Sequence, residues 1–205
     1  MSRLPGPAAV LDYWFGTLTD GVASAARRRR WFKASAEDDA EIARRFGPLI
    51  DRARVGALDH WLRRAEWRLA YILVCDQFPR QAFRGTAQAF ATDARARDAA
   101  ADGVEHGHDL ALGPDQRAFF YMPFEHAESR LDQHVSVGLF TALQDAASPG
   151  YRQQAASFLA YAREHRDVVQ RFGRFPHRNA VLGRRSTAAE RAYLKTASGY
   201  GQTAR

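Results

Sequence analysis

Three arginines, a histidine and an asparagine fall within nine residues at Arg171-Phe172-Gly173-Arg174-Phe175-Pro176-His177-Arg178-Asn179. Two phenylalanines, a glycine and a proline hold them. No helical or strand period accounts for this order, so the segment reads as turn-rich and as aiming its polar groups at something. Guanidinium forks match carboxylates and phosphates best.

Two further segments carry the same kind of residues. The first runs from Asp76 to Thr86 and contains Arg80 and Arg84. The second is Pro123-Phe124-Glu125-His126-Ala127-Glu128. His165 lies two turns before the arginine-rich stretch, and Leu182-Gly183-Arg184 follows it. All three segments sit at expected helix ends, and helix ends gathered at one end of a bundle form a natural pocket. The candidate ligand-binding residues are therefore Asp76, Arg80, Arg84, Glu125, His126, Glu128, His165, Arg171, Arg174, His177, Arg178, Asn179 and Arg184. Converging arginines repel one another unless carboxylates or an anionic ligand neutralise them. Asp76, Asp93, Glu125 and Glu128 are available for that, so a closed salt-bridge network and a site left open for an anion stand side by side. His126, His165 and Glu125 are the candidates for proton transfer, an imidazole acting as base beside a carboxylate.

Other chemistries find less support. The two-histidine helix spacing of zinc enzymes is missing, since His126 and His134 are eight apart and His165 and His177 twelve apart with a proline between. No metal or other cofactor is expected on spacing grounds. No phosphate-binding loop and no G-x-G-x-x-G occurs, and Ser129 lacks the turn of a nucleophile elbow. Cys75, the single cysteine, excludes an internal disulfide and reads as a small buried hydrophobe within Leu69–Cys75.

The elements that must position these groups are helical. Val10, Leu11 and Trp14 share a face, with Gly16 as a cap. Ser35-Ala36-Glu37-Asp38 resembles a capping box, and Ile42, Phe46, Leu49, Ile50 and Ala53 follow on one stripe that Gly56 closes. Pro48 predicts a kink or break in that stripe. A buried helix is predicted over 65–78, stopped by Pro79. Thr92 or Asp93 can cap the next helix, and Pro114 opens a short one that Pro123 breaks. Leu131, Val135, Leu139 and Leu143 mark another helix. Ala155, Phe158, Leu159, Ala162, His165, Val169 and Phe172 mark a long one. Thr187-Ala188-Ala189-Glu190 is a capping box for the last, which Gly199 can end. No run alternates like a strand, so the chain reads as a single all-α domain.

Composition sets the outer bounds. The 205 residues are 46% hydrophobic, enough for one packed domain. No apolar run approaches membrane-spanning length, and the start shows no secretory pattern, so a cytoplasmic protein is expected. The net charge of +7 invites a nucleic-acid reading. However, the 30 basic residues include only Lys33 and Lys195 as lysines, which leaves 28 arginines spread along the chain. That is the mark of a GC-rich genome, and it makes nucleic acid a poor explanation. Only Arg27–Arg30 form a run, readable as a solvated basic face or as a phosphate-contacting patch.

The motifs Asp76-Gln77-Phe78-Pro79-Arg80, Arg84-Gly85-Thr86, Phe90-Ala91-Thr92-Asp93, Pro123-Phe124-Glu125-His126 and Arg171 to Asn179, with Leu182-Gly183-Arg184, resemble a bacterial family catalogued as domain of unknown function 924. The likeness runs from Val10-Leu11-Asp12-Tyr13-Trp14-Phe15-Gly16 to the final helix. It implies a tetratricopeptide-like array of antiparallel helical hairpins and brings no established reaction. Ala127 stands where the family usually has serine, which tells against a hydroxyl role there. Taken together, the leading expectation is a helical protein with a concave polar pocket for an anionic small molecule or an acidic peptide terminus. In it Arg80, Arg84, Arg174 and Arg178 would grip the anion. A hydrolase-type enzyme working through His126 or His165 with Glu125 is the alternative, and an interaction module without catalysis is another. The oligomeric state is left open.

Overall fold

The computed structural model describes residues 4–197. Helix α1 (Pro7–Phe15) leads into a two-residue-per-strand hairpin, β1 (Leu18–Thr19) and β2 (Val22–Ala23), then α2 (Ala25–Phe32) and α3 (Ala36–Arg54). After a 3-10 turn at Asp59–Arg63 come α4 (Ala65–Cys75), α5 (Gln77–Ala82), a second 3-10 turn at Ala87–Phe90 and α6 (Asp93–Glu105). The rest is α7 (Pro114–Glu125), α8 (Arg130–Asp145), α9 (Arg152–Phe172), a 3-10 turn at Pro176–Arg178 and α10 (Ala188–Leu194). The all-α expectation is met apart from the hairpin. Its loop is Asp20-Gly21, both at positive φ (51° and 76°), the dipeptide that favours tight hairpins. Gly21 packs against Gly113 so closely that no side chain fits between them. Ala23 N–H donates to Asp115 at 2.8 Å, which docks the hairpin on the start of α7.

Several helix boundaries follow from local chemistry. Ser35 accepts from Asp38 N–H while Asp38 accepts from Ser35 N–H, completing the capping box of α3. Thr187 and Glu190 do the same for α10. Gly173, at φ 72°, ends α9 in the left-handed conformation. The prolines behave differently from their sequence reading. Helix α3 continues through Pro48 to Arg54, and α7 continues through Pro123 to Glu125. The break expected at Pro79 falls earlier, at Asp76, and Pro79 lies in the first turn of α5. A first-turn residue has no intrahelical acceptor for its N–H, so proline loses nothing there. Thr92 does not cap α6 with its side chain; its hydroxyl donates instead to Cys75 O at 2.6 Å. Leu131 is exposed rather than on the packed face of α8. Gly199 lies outside the described residues.

Helix α4 is the axis of the core. It touches α1, α3, α6 and α7, and Leu69 through Cys75 are all buried. This explains why its apolar run lacks an amphipathic period. Trp14 and Trp31 stack on each other and each meets Phe119 edge-to-face, with Trp31 and Phe119 4.7 Å apart. A smaller cluster of Val168, Val169 and Phe175, flanked by Phe172 and Tyr193, anchors the arginine-rich segment to α9. The end of α4, the start of α6 and the end of α7 converge beside it.

Candidate functional site

The three polar segments meet through Asp76. Its carboxylate, fully buried at the end of α4, accepts from His126 Nδ1 at 2.8 Å and from Gln77 Nε2 at 2.6 Å, and it pairs with Arg80 Nη1 at 3.1 Å, which donates to the Asp76 backbone carbonyl at 2.6 Å. Arg80 also forks onto Asp93 with bonds of 2.8 and 3.0 Å. Arg178 reaches the same Asp93 at 3.2 Å and donates to His126 O at 2.9 Å. Phe90 and Phe175 bracket its guanidinium at 4.5 and 4.6 Å. Two buried arginines and two carboxylates thus alternate, each charge held by its opposite.

Helix α7 ends with Glu125, and His126 caps it. His165 approaches from α9, its ring 6.1 Å from that of His126 in an edge-on arrangement. Both imidazoles have assigned tautomers. An ionised Asp76 and a backbone carbonyl can only accept, so His126 Nδ1–H donates to Asp76 and His165 Nδ1–H donates to Tyr161 O at 2.8 Å. The lone pair of each ring therefore sits on Nε2. Glu125 completes the group. Its carboxyl is 6% exposed and hydrogen-bonds no described residue, and it lies 3.4 Å from His165 Nδ1. One ligand atom from each of Glu125, His126 and His165 lies within 4.8 Å of the other two. The His126 side chain, 15% exposed, is the part of this group that meets solvent.

The electrostatics follow from burial. Burial pushes the Glu125 carboxyl up to about 8, helped by the nearby Asp76 charge. It also pulls His165 and His177 down to about 3, with His126 and Arg178 respectively adding repulsion. His126 is lowered by burial and by Arg80. Burial alone would raise Asp76, but Arg80 and His126 together hold it well below the ordinary carboxylate range. Burial and the neighbouring Arg80 bring Arg178 down to about 10.

The remaining candidates are placed elsewhere. Arg84 forks onto Asp39 with two 2.8 Å bonds, and Arg174 forks onto Glu190 at 2.6 and 2.9 Å. Arg184 forks onto Glu128 at 2.5 and 2.8 Å, and Glu128 also accepts from Phe175 N–H. Asn179 orients Arg184 and Ser186. Arg171 is exposed over the Phe172 ring. Arg80, Arg84, Arg174 and Arg178 therefore do not converge on one anion as expected. Arg84 and Arg174 are bound to acids on separate faces, and only Arg80 and Arg178 share a centre. Asp39, Glu190, Tyr161 and Gln77 were missing from the candidate residues. Asp39 acts on a residue that only the fold brings near, Glu190 was marked locally as a capping residue and not as a partner of Arg174, Gln77 binds its neighbour's carboxylate, and Tyr161 serves through a backbone carbonyl one turn before His165. The absence of a two-histidine helix motif spoke against a metal, yet the fold supplies a mixed set from two helices.

The profile of the family described as "Bacterial protein of unknown function (DUF924)" matches residues 10–198. A solved structure, titled "Structure of Protein of Unknown Function ATU0120 from Agrobacterium tumefaciens", is similar over 93% of this chain and 97% of that one, with 40% identity and a TM-score of 0.79. No curated protein matches. Among the described residues no helix is long and apolar enough to cross a membrane.

Proposed function

We propose that this chain, which belongs to the DUF924 family of bacterial proteins of unknown function, is a hydrolase-type enzyme that binds a divalent transition metal through Glu125, His126 and His165. The observation that carries this reading is the Glu125 carboxyl, buried with no hydrogen bond to a described residue, beside two imidazoles whose Nδ1–H groups are already tied down. Histidine ligands are ordinarily held this way, by a carboxylate or carbonyl on the far ring nitrogen. Three nitrogen and oxygen ligands with further positions open are the pattern of a catalytic rather than a structural zinc site. Four-coordinate bonds of about 2.0–2.1 Å set ligand atoms roughly 3.4 Å apart, so a present spread of up to 4.8 Å closes with side-chain rotation.

Each residue has a task in this reading. Such an ion contributes Lewis acidity and makes water a nucleophile near neutral pH. Asp76 fixes the His126 ring and its tautomer. Arg80 keeps Asp76 ionised, so that it goes on accepting that proton. Arg178 clamps the His126 carbonyl to the start of α6. The arginines act as positioning residues for the histidines. An anionic ligand held by the same residues is a second reading, and Arg178 favours it: its Nε is buried without a hydrogen-bond partner.

Metal content after purification, and thermal shift of the chelator-treated protein with zinc, manganese, cobalt and nickel, test the proposal. We expect one ion per chain in the wild type and none in Glu125→Ala or His165→Ala, with metal-dependent turnover in a panel of esters, amides and phosphoesters. Equal metal binding by the wild type and both variants would sink it.

A further inference from the structure

We infer that a second site, built by residues outside the histidine cluster, binds a single carboxylate group in the cleft between α1, α2, α3 and α5. The cleft of about 240 Å³ is lined by Tyr13, Trp14, Arg27, Arg30, Trp31 and Gln81, with Ile42 and one acid, Asp38. It has room for one small polar group and not for a drug-sized molecule.

Donors dominate the lining. The indole N–H of Trp14, a residue 4% exposed, is buried without any hydrogen-bond partner. Leaving a buried donor unmatched is unfavourable, so the site is built for an acceptor that the described residues do not provide. Gln81 is 7% exposed, and its side-chain amide bonds no described residue. The four-arginine run divides here. Arg27 donates to Tyr13 O at 2.7 Å and Arg30 to the Tyr13 hydroxyl at 3.2 Å. The facing acids are Asp38, which accepts from Arg30 at 2.5 Å, and Glu41, shared between Arg30 at 3.5 Å and Arg45 at 2.9 Å. Arg45 lies over the Tyr13 ring at 4.9 Å. Three guanidinium groups around Tyr13 thus face two carboxylates, leaving one positive charge unmatched. An indole donor, an amide and an excess cation above a water-sized floor fit one carboxylate and leave the remainder of the ligand outside.

A free small carboxylic acid and the carboxyl terminus of a peptide present the same chemistry. Trp14 and Trp31 line the cleft, so their fluorescence reports its occupancy. The full-length protein, with chelator present to silence the histidine cluster, is titrated with acetate, with a tripeptide ending in a free carboxylate and with its amidated counterpart. Saturable quenching by acetate or the free tripeptide, at least about tenfold weaker in both Trp14→Phe and Arg27→Gln, is expected. Trp14→Phe keeps an aromatic ring in place and removes the donor with the pyrrole part of the indole, and calorimetry on Trp14→Phe measures binding without relying on the lost fluorophore. The amidated peptide should not bind. A free tripeptide that binds more tightly than acetate points to peptide termini; equal affinities point to small acids. No saturable change with either carboxylate overturns the inference, as does binding that both variants leave untouched, or a crystal grown in acetate that shows only an ordered water at Trp14 Nε1.

Discussion

Asp76→Asn is the sharpest test of the idea that the arginines frame the histidine cluster. The change keeps the shape of the side chain and an oxygen to accept from His126 Nδ1, and it removes one charge. In the wild type, Asp76 and Asp93 face Arg80 and Arg178, all at or below about a fifth exposed as side chains. Without the Asp76 charge, two buried guanidinium groups share Asp93 alone. Breaking a buried ion pair by removing one partner costs about 3–5 kcal/mol. For a chain of this size each kcal/mol lowers the melting temperature by about 2–4 °C, so the variant should melt on the order of 10 °C below the wild type. Urea denaturation measures the same quantity at constant temperature. The decisive experiment is the cycle with Arg80→Met. If the pair works as described, the double variant is at least about 2 kcal/mol more stable than the sum of the single effects predicts. Additive losses within about 0.5 kcal/mol would refute the charge-matching argument, and with it the claim that Arg80 serves Asp76. The metal reading adds a second readout: loss of such a supporting carboxylate weakens metal affinity about 10–100-fold.

Three other outcomes follow from particular contacts. A methyl group at Gly103 would collide with the Phe120 ring edge and lie 2.6 Å from Arg68 Cδ, so Gly103→Ala should destabilise by about 1–3 kcal/mol in urea titration, although alanine favours helices. Thr187→Ala removes the acceptor for Glu190 N–H and should cost about 1 kcal/mol, seen as earlier hydrogen exchange in α10 than in α9. Glu190 is held down to about 2, first by its bonds to Arg174. Its folded value lies below its unfolded one, so its contribution is present above about pH 4.5 and is lost as pH falls towards 2; in Arg174→Met the acid unfolding midpoint should move to higher pH.

What could be read from the sequence was whatever chemistry acts over three or four residues. The capping boxes at Ser35 and Thr187, the Gly16 cap of the first helix and the N-terminal Pro114 are local, and each stands where expected. The prolines misled because their effect depends on position within a helix as well as on identity. Pro79 replaces an N–H that a first turn would not have used, and Pro48 and Pro123 sit in helices that packing holds continuous. The hairpin was hidden because strands of two residues have no period to detect, although Asp20-Gly21 carried its turn signal.

The polar residues show the deeper limit. Arg84 meets Asp39 across 45 positions, Arg184 meets Glu128 across 56, and Arg178 meets Asp93 across 85. Charge-rich segments show that neutralisation is required, but only the fold decides whether a ligand or the protein supplies it. Here the protein supplies nearly all of it, and the consequence is chemical. Arginines satisfied by carboxylates are rigid, and rigid arginines hold Asp76 ionised and the His126 carbonyl in place. The segment that first suggested an anion-gripping surface therefore serves two helices away, where it fixes one imidazole of a pair beside a buried carboxyl that has no hydrogen bond to a described residue.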